Sequence, residues 1–187
     1  MSDTEEQISM PAPVSAEERE ANDKLKALLI NDEGDISDKL EAALLRIFAR
    51  FSSSYRKANP TLDAHQPSTS LPRPSKDDTL TASDLDDFAM ATNGSTFPEE
   101  AKEEIQEYLD TDDDGNLTFR GFCEMFHLQS DNEPEETWRD LKTCGFNDKL
   151  DFIGVKAEAK EQQEVNKIGE EQAEATAAPS SETEKSS

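Results

Sequence analysis

Cysteine and histidine are scarce in this chain. It contains two cysteines, Cys123 and Cys144, and two histidines, His65 and His127. Two cysteines this far apart make neither a disulfide framework nor a cysteine metal site. Neither histidine has a nucleophile or a second histidine at a spacing that supports catalysis. We therefore interpret the cysteines as core residues, and we expect no enzymatic activity.

Long apolar runs and basic residues are also few. No stretch approaches the roughly 18 apolar residues that cross a bilayer, and the acidic start M-S-D-T-E-E is not typical of a signal peptide. There are 19 Lys and Arg residues against 43 Asp and Glu residues, which gives a net charge of −24. Such a charge repels nucleic acid and anionic membranes and favours cations and basic partners. We expect a cytoplasmic protein that binds neither nucleic acid nor membranes.

The distribution of apolar residues predicts a folded centre between two acidic ends. Residues 1–36 are predicted to be mostly disordered, with helical spacing of leucines that indicates a helix at 16–30. Residues 154–187 lack aromatics and predict a disordered acidic tail. The span 37–153 has the length of one domain of about 100–150 residues. The acidic run 31–35 matches no metal-loop register, so we interpret it as a solvated turn.

The strongest chemical pattern is the stretch 110–122, D-T-D-D-D-G-N-L-T-F-R-G-F. Calcium takes about six to eight oxygen ligands, and loops of about twelve residues supply them from positions 1, 3, 5, 7 and 9 and from a bidentate Glu at 12, with Gly at 6. In this register the candidate metal ligands are Asp110, Asp112, Asp114, Asn116 through its carbonyl, and Thr118. The stretch resembles an EF-hand loop.

Position 12 of this register is Gly121, which has no side chain. Two of the expected oxygens are missing, so we expect weak Ca²⁺ binding with which Mg²⁺ can compete. An acidic turn that holds no ion is the alternative interpretation. If the register is right, Gly121→Glu restores a bidentate ligand and is expected to raise Ca²⁺ affinity.

Helical periodicity predicts two helix–loop–helix units, one over about 38–93 and one over about 97–129. In the first unit the apolar face consists of Leu40, Leu44, Ile47, Phe48 and Phe51. Its loop is interrupted by a proline-rich insertion at 52–79, which we expect to be irregular. The first unit is therefore predicted to be structural and to bind no ion.

A short amphipathic helix is predicted at 134–144. Pro134 starts it, Gly145 ends it, and Trp138 and Leu141 share one face. Because few residues tether it to the apolar second unit, its effective concentration there is about millimolar, and we expect it to dock within the chain. A free recognition helix is the alternative.

Two motifs carry a closer resemblance. L-T-F-R-G-F at 117–122 and E-T-W-R-D-L-K-T-C-G-F-N-D-K-L-D at 136–151 resemble the EF-hand units of the Miro mitochondrial Rho GTPases, over roughly 39–152. The resemblance implies a calcium-binding hand, a hidden second hand, and a helix that mimics a bound ligand. Here the aspartates lie in the second loop instead of the first. The sequence shows no G-x-x-x-x-G-K-[ST] phosphate loop, so GTPase activity is not implied.

Together these patterns predict an all-α fold, with paired EF-hands, the first with a degenerate and inserted loop, followed by a short docking helix. We expect a non-catalytic binding or adaptor module that binds Ca²⁺ weakly in its second hand. A metal-independent interaction scaffold is the alternative. The expected partner is another protein, either basic or presenting an amphipathic helix, and the chain itself is expected to be a monomer.

Overall fold

The computed structural model describes residues 24–155. Three sequence predictions lie wholly or partly outside them: disorder at 1–23, disorder at 156–187, and the first part of the helix at 16–30. The folded part begins before the predicted boundary at residue 37. Residues 24–29 are helical, and Leu29 is fully buried.

Helices dominate the described residues, which confirms the prediction of a helical fold. In chain order the elements are α1 (described over 24–29), α2 (Asp38–Phe51), α3 (Ser53–Ala58), β1 (Thr79–Leu80), α4 (Ala82–Asn93), α5 (Glu99–Tyr108), β2 (Leu117–Thr118), α6 (Phe119–Asn132) and α7 (Pro134–Thr143). β1 and β2 pair antiparallel, with Leu80 opposite Leu117. This two-strand sheet links the loop before α4 to the loop before α6.

Polar side chains determine where the main helices begin. The Ser37 hydroxyl caps α2, and the Thr118 hydroxyl caps α6. Thr81 and Asp84 form a reciprocal capping box at the start of α4. Each such cap stabilises its helix by about 1 kcal/mol. Gly94, with φ of +75°, ends α4 in a left-handed conformation that glycine adopts without strain.

The insertion at 52–79 is not irregular throughout, because α3 forms directly after Ser52. Arg46 of α2 fixes part of the remainder. Its guanidinium donates hydrogen bonds of 2.8–2.9 Å to three carbonyls, those of Ala64, Gln66 and Thr69. The Tyr55 hydroxyl donates to the Pro72 carbonyl at 2.8 Å. The insertion is therefore bound to the helical core by directed hydrogen bonds.

The core is built around aromatic rings from α2, α4 and α6. The Phe48 and Phe119 ring centroids are 5.3 Å apart, and those of Phe122 and Phe126 are 5.1 Å apart. Phe88 of α4 contacts both Phe122 and Phe126 edge to face. Such pairs contribute about 0.5–1.5 kcal/mol each beyond their burial. The cluster thus joins the two helical units into one core.

Helix α7 packs against α6 and α4 as part of this core. Trp138 is 3% exposed, and Leu141 is fully buried. The Trp138 indole N–H donates to the Leu25 carbonyl in α1 at 3.3 Å. The hydroxyls of Thr137 and Ser130 form a buried hydrogen bond of 3.1 Å. α7 therefore connects the N-terminal helix to α6.

Leu141→Ala is expected to lower the free energy of unfolding by about 2–5 kcal/mol, because it removes a fully buried side chain. Leu128→Ala deletes the same atoms from a side chain that is 56% exposed, and its effect should stay below about 1 kcal/mol. Urea denaturation followed by circular dichroism measures both. Equal losses would contradict the packing described for α7.

Candidate functional site

The loop predicted to bind metal lies between α5 and α6 and is closed as a hairpin. Thr111 and Leu117 bridge its two sides. Gly115 makes the turn with φ of +79°, which favours glycine. Leu117 is fully buried beneath the loop. All five predicted ligands therefore lie on one short turn that leads into α6.

Asp112 uses both carboxylate oxygens within this loop. Oδ1 accepts the backbone N–H groups of Asp114 and Asn116 at 2.9 and 2.8 Å, and Oδ2 accepts the Asn116 side-chain amide at 3.0 Å. The Asp112 N–H in turn donates to the Asn116 carbonyl at 2.9 Å. These bonds, with the Asn116 side chain foremost, lower the pKa of Asp112. Asp112 and Asn116, two of the predicted ligands, thus form the hydrogen bonds that close the loop.

The same hairpin occurs at 30–36 and at 146–152, where Asn31 and Asn147 take the place of Asp112. In both, the Asn side-chain oxygen accepts the N–H groups two and four residues later, at 2.8–3.1 Å. The residues that bridge the hairpin ends are Ile30 with Ile36 and Phe146 with Phe152. The residue at the turn is left-handed each time, Gly34 at +89° and Leu150 at +62°. A neutral amide therefore closes this hairpin as a carboxylate does.

Sequence reasoning missed this repeat. The signal is an Asn or Asp followed by Asp, any residue, a turn residue, and Asp or Asn: N-D-E-G-D, D-D-D-G-N and N-D-K-L-D. The run 31–35, interpreted from sequence as a solvated turn, is one of these hairpins. Acidic side chains in such turns accept backbone hydrogen bonds, so an acidic pattern alone does not indicate a cation.

Asp110 and Thr118 meet at the base of the loop. The Thr118 hydroxyl lies 3.0 Å from the Asp110 carbonyl oxygen and also contacts the Asp110 carboxylate. The same hydroxyl accepts the Gly121 N–H at 3.1 Å, which caps α6. The Asp110 N–H donates to the Glu124 carboxylate at 3.1 Å. Asp110 is thereby held against the first turns of α6.

Gly121 is a point of close approach between α6 and the loop. A Cβ atom at this position would lie 2.2 Å from the Asp110 carbonyl oxygen and 2.6 Å from Leu117 Cδ1. Either distance requires the loop to move. The gain in Ca²⁺ affinity expected from Gly121→Glu is therefore not supported, because the side chain would displace the loop that it is meant to complete.

The donor groups do not form a calcium shell in this arrangement. Over residues 24–155, no three His, Cys, Asp or Glu side chains are grouped so that they could hold one metal ion. Asp114 is exposed, while Asp112 and the Asn116 carbonyl accept the loop's own N–H groups. An ion needing about six oxygens would have to share these acceptors with the N–H groups and take further oxygens from water. The Ca²⁺ site stays a prediction.

The first loop is held by serine side chains. The buried Asp84 carboxylate accepts the Ser53 hydroxyl at 2.9 Å and the Thr81 N–H at 3.0 Å. The buried Asp78 carboxylate accepts the Ser75 hydroxyl at 2.8 Å. Asp84 therefore joins α4 to the start of α3, and Asp78 closes a turn at the end of the insertion.

Cys144 is buried in the core, and Cys123 is half-buried and packs against it. Burial raises the pKa of both Cys123 and Cys144 to about 12, so both thiols stay protonated at neutral pH. His127 lies within α6, and its ring nitrogen lies 2.8 Å from the Gly34 carbonyl oxygen in the first hairpin.

A groove with a cavity volume of about 370 Å³ lies beside α4, α5, α6 and α7. Its apolar lining includes Phe88, Phe97, Ile105, Leu109, Met125 and Leu128. Helix α5 buries only Ile105, so it covers the groove incompletely. α7 contributes one wall of the groove and does not fill it.

Three acidic residues line the same groove: Glu104, Glu136 and Asp140. Asp140 is only 5% exposed. Its Oδ2 accepts the Gln129 amide at 2.8 Å, but its buried Oδ1 has no hydrogen-bond partner. Burial raises the pKa of this carboxyl group. Sequence reasoning missed Asp140 because the amphipathic pattern of α7 assigns it to the polar face.

Asp112→Asn is expected to change the free energy of unfolding by less than about 0.5 kcal/mol, because asparagine keeps the oxygen that accepts the two backbone N–H groups, and the Asn116 amide can turn its oxygen toward the new NH2 group. Asp112→Ala leaves two backbone N–H groups without their acceptor and should cost about 1–2 kcal/mol. Urea unfolding of both variants without added metal tests this. A loss from Asp112→Asn as large as that from Asp112→Ala would contradict the self-closed loop.

The helices described over 24–155 include none long and apolar enough to cross a bilayer. The resemblance to the EF-hand units of Miro proteins stays a prediction. No family model, no curated protein and no solved structure matches this chain.

Proposed function

We propose that this chain is a non-catalytic protein-interaction module, built as a pair of EF-hand-like units whose fold needs no metal ion. The observation that carries the proposal is the apolar groove, which stays open although α7 is already packed beside it. Apolar grooves between helices are typical binding sites for the amphipathic helices of other proteins. The acidic loop then serves to position α6.

The EF-hand part of the proposal rests on how the two units meet. In each, a helix leads into a loop, one or two residues of strand, and a second helix. Leu117 is position 8 of the register that starts at Asp110, and it pairs with Leu80 across the small sheet. Inter-loop pairing of this kind, together with the order of motifs that resembles Miro proteins, supports a paired-hand arrangement.

The contacts within the second loop support metal independence. Asp112, Asn116 and Thr118 already make the hydrogen bonds that shape the turn. The sister hairpins adopt the same shape with a neutral asparagine in place of Asp112. These contacts support the proposal that the loop holds α5 and α6 in place without an ion.

Weak binding of Ca²⁺ or Mg²⁺ in the second loop is the other candidate function. It is favoured by the approach of the Asp110 carboxylate to the Thr118 hydroxyl, two oxygen donors at positions 1 and 9 of the register. Asp114 at position 5 is exposed and available to an ion. Hydrated Mg²⁺, which keeps several waters, fits so few protein ligands better than a calcium shell does.

The two candidates differ in how Ca²⁺ changes stability. An ion that binds only the folded state with a Kd of about 1 mM adds about 1.4 kcal/mol at a concentration of about 10 mM. A metal-independent fold gains nothing specific, so we expect equal unfolding midpoints in chelator and in Ca²⁺ with magnesium held constant. Urea denaturation measures the difference.

Asp114→Asn supplies the control for this measurement, because it removes an exposed candidate ligand and none of the side-chain bonds that close the loop. A rise in stability with Ca²⁺ that Asp114→Asn abolishes would establish the metal site and overturn metal independence. A rise that persists in the variant would be a general salt effect on an acidic protein.

A further inference from the structure

The groove beside α4 to α7 combines features that define the chemistry of its occupant. Its apolar lining includes Met125, whose flexible side chain adapts to differently shaped partners. Tyr108 and Leu128 are 71% and 56% exposed, although both line the groove. Helix α5 is anchored by the single buried residue Ile105. The apolar surface is thus accessible from one side.

Asp140 provides the polar feature of the groove. A buried carboxylate is stable when hydrogen bonds or a cation compensate its lost hydration. Gln129 compensates one oxygen of Asp140, and the other oxygen has no partner among the described residues. Glu136 lies on the same wall and forms an ion pair with the exposed Arg139. Among the described residues, no cationic side chain forms an ion pair with Asp140. The Asp140 carboxylate in the groove therefore lacks a positively charged partner among the described residues.

We propose that this groove binds an amphipathic helix of a partner protein and that a Lys or Arg side chain of that helix pairs with Asp140. This inference deepens the proposed interaction function and rests on it. The apolar face of the partner helix would cover Met125 and Leu128, and the acids Glu104 and Glu136 would lie beside further basic residues. A charge-assisted hydrogen bond to Asp140 would fix the register of the bound helix.

Charge argues against the chain itself as the occupant. Residues 156–187 contain eight glutamates and four lysines, so the whole segment is repelled by the acidic rim. A second copy would bring a net charge of −24 to the same rim. A cationic helix from another protein gains from the field that disfavours both alternatives.

Asp140→Asn is the informative substitution. It preserves the shape of the side chain and an oxygen for the Gln129 amide while removing the charge. Because the charge is buried and incompletely paired, the variant should be at least as stable as the parent chain. If Asp140 served only the fold, the variant would instead be destabilised. Asp113→Asn makes the same charge change at an exposed position away from the groove and is the matched control.

The probe is a synthetic helical peptide of leucine and lysine with leucines at i, i+3, i+4 and i+7, titrated into the full chain and followed by fluorescence anisotropy. A peptide with glutamate in place of lysine serves as the charge control. We expect the lysine peptide to bind and the glutamate peptide not to bind. Asp140→Asn should weaken binding of the lysine peptide by about tenfold, and Asp113→Asn by less than about twofold.

If the two variants weaken binding equally, the effect is one of surface charge, and the proposal is overturned. Equal binding of the two peptides, or no binding of either, would also overturn it.

Methyl NMR of Met125 and Ile168 identifies other occupants of the groove. A Met125 shift on dilution without peptide would indicate a second copy. Movement of the Ile168 signal on adding peptide would indicate that residues 156–187 occupy the groove. Either result would overturn the proposal that a partner helix binds in the groove. If urea unfolding shows that the fold requires Ca²⁺, the proposed metal independence is overturned instead.

Discussion

Leu80 and Leu117 face each other between two short strands, both fully buried, and the rest of the structure depends on this contact. α4 follows directly after β1, and α6 follows directly after β2. The strand pair therefore places the starts of both helices side by side and brings their aromatic side chains onto one core. Gly121 makes the arrangement compatible with the loop, because only a residue without Cβ lets α6 lie against the Asp110 carbonyl.

The hydrogen bonds within the acidic loop support the proposal that its shape needs no ion. Its carboxylate at position 112 serves as an acceptor for backbone N–H groups, which is a role that Asn31 and Asn147 fill elsewhere. The chain uses one hairpin design before α2, before α6 and after α7. In each case the hairpin reverses the chain next to a helix.

Much of the helical framework could be predicted from local patterns. The apolar spacing of α2 predicts the side chains that are buried, and Asn93-Gly94 predicts the end of α4, because periodicity and capping are local properties. Trp138 and Leu141 likewise predict that α7 is packed, although not that it becomes one wall of a groove.

Features that depend on distant contacts could not be predicted. The path of the insertion depends on the hydrogen bonds that Arg46 donates to three of its carbonyls. Hydrophobic periodicity in the sequence gives no indication of these bonds. The role of Gly121 depends on how closely α6 approaches the Asp110 carbonyl. From the loop register alone, Gly121 indicates a missing ligand, whereas in the structure it is a point of close packing. The burial of Asp140 results from the joint packing of α6 and α7, and helical amphipathicity alone assigns it to solvent.

Hydrogen exchange at the backbone amides of residues 110–118 tests most directly whether this loop is closed by its own hydrogen bonds. The amides of Asp114 and Asn116, both bonded to Asp112, should show the same protection from exchange in chelator as in Ca²⁺. Rapid exchange of these amides in chelator, with protection appearing only when Ca²⁺ is added, would contradict the account.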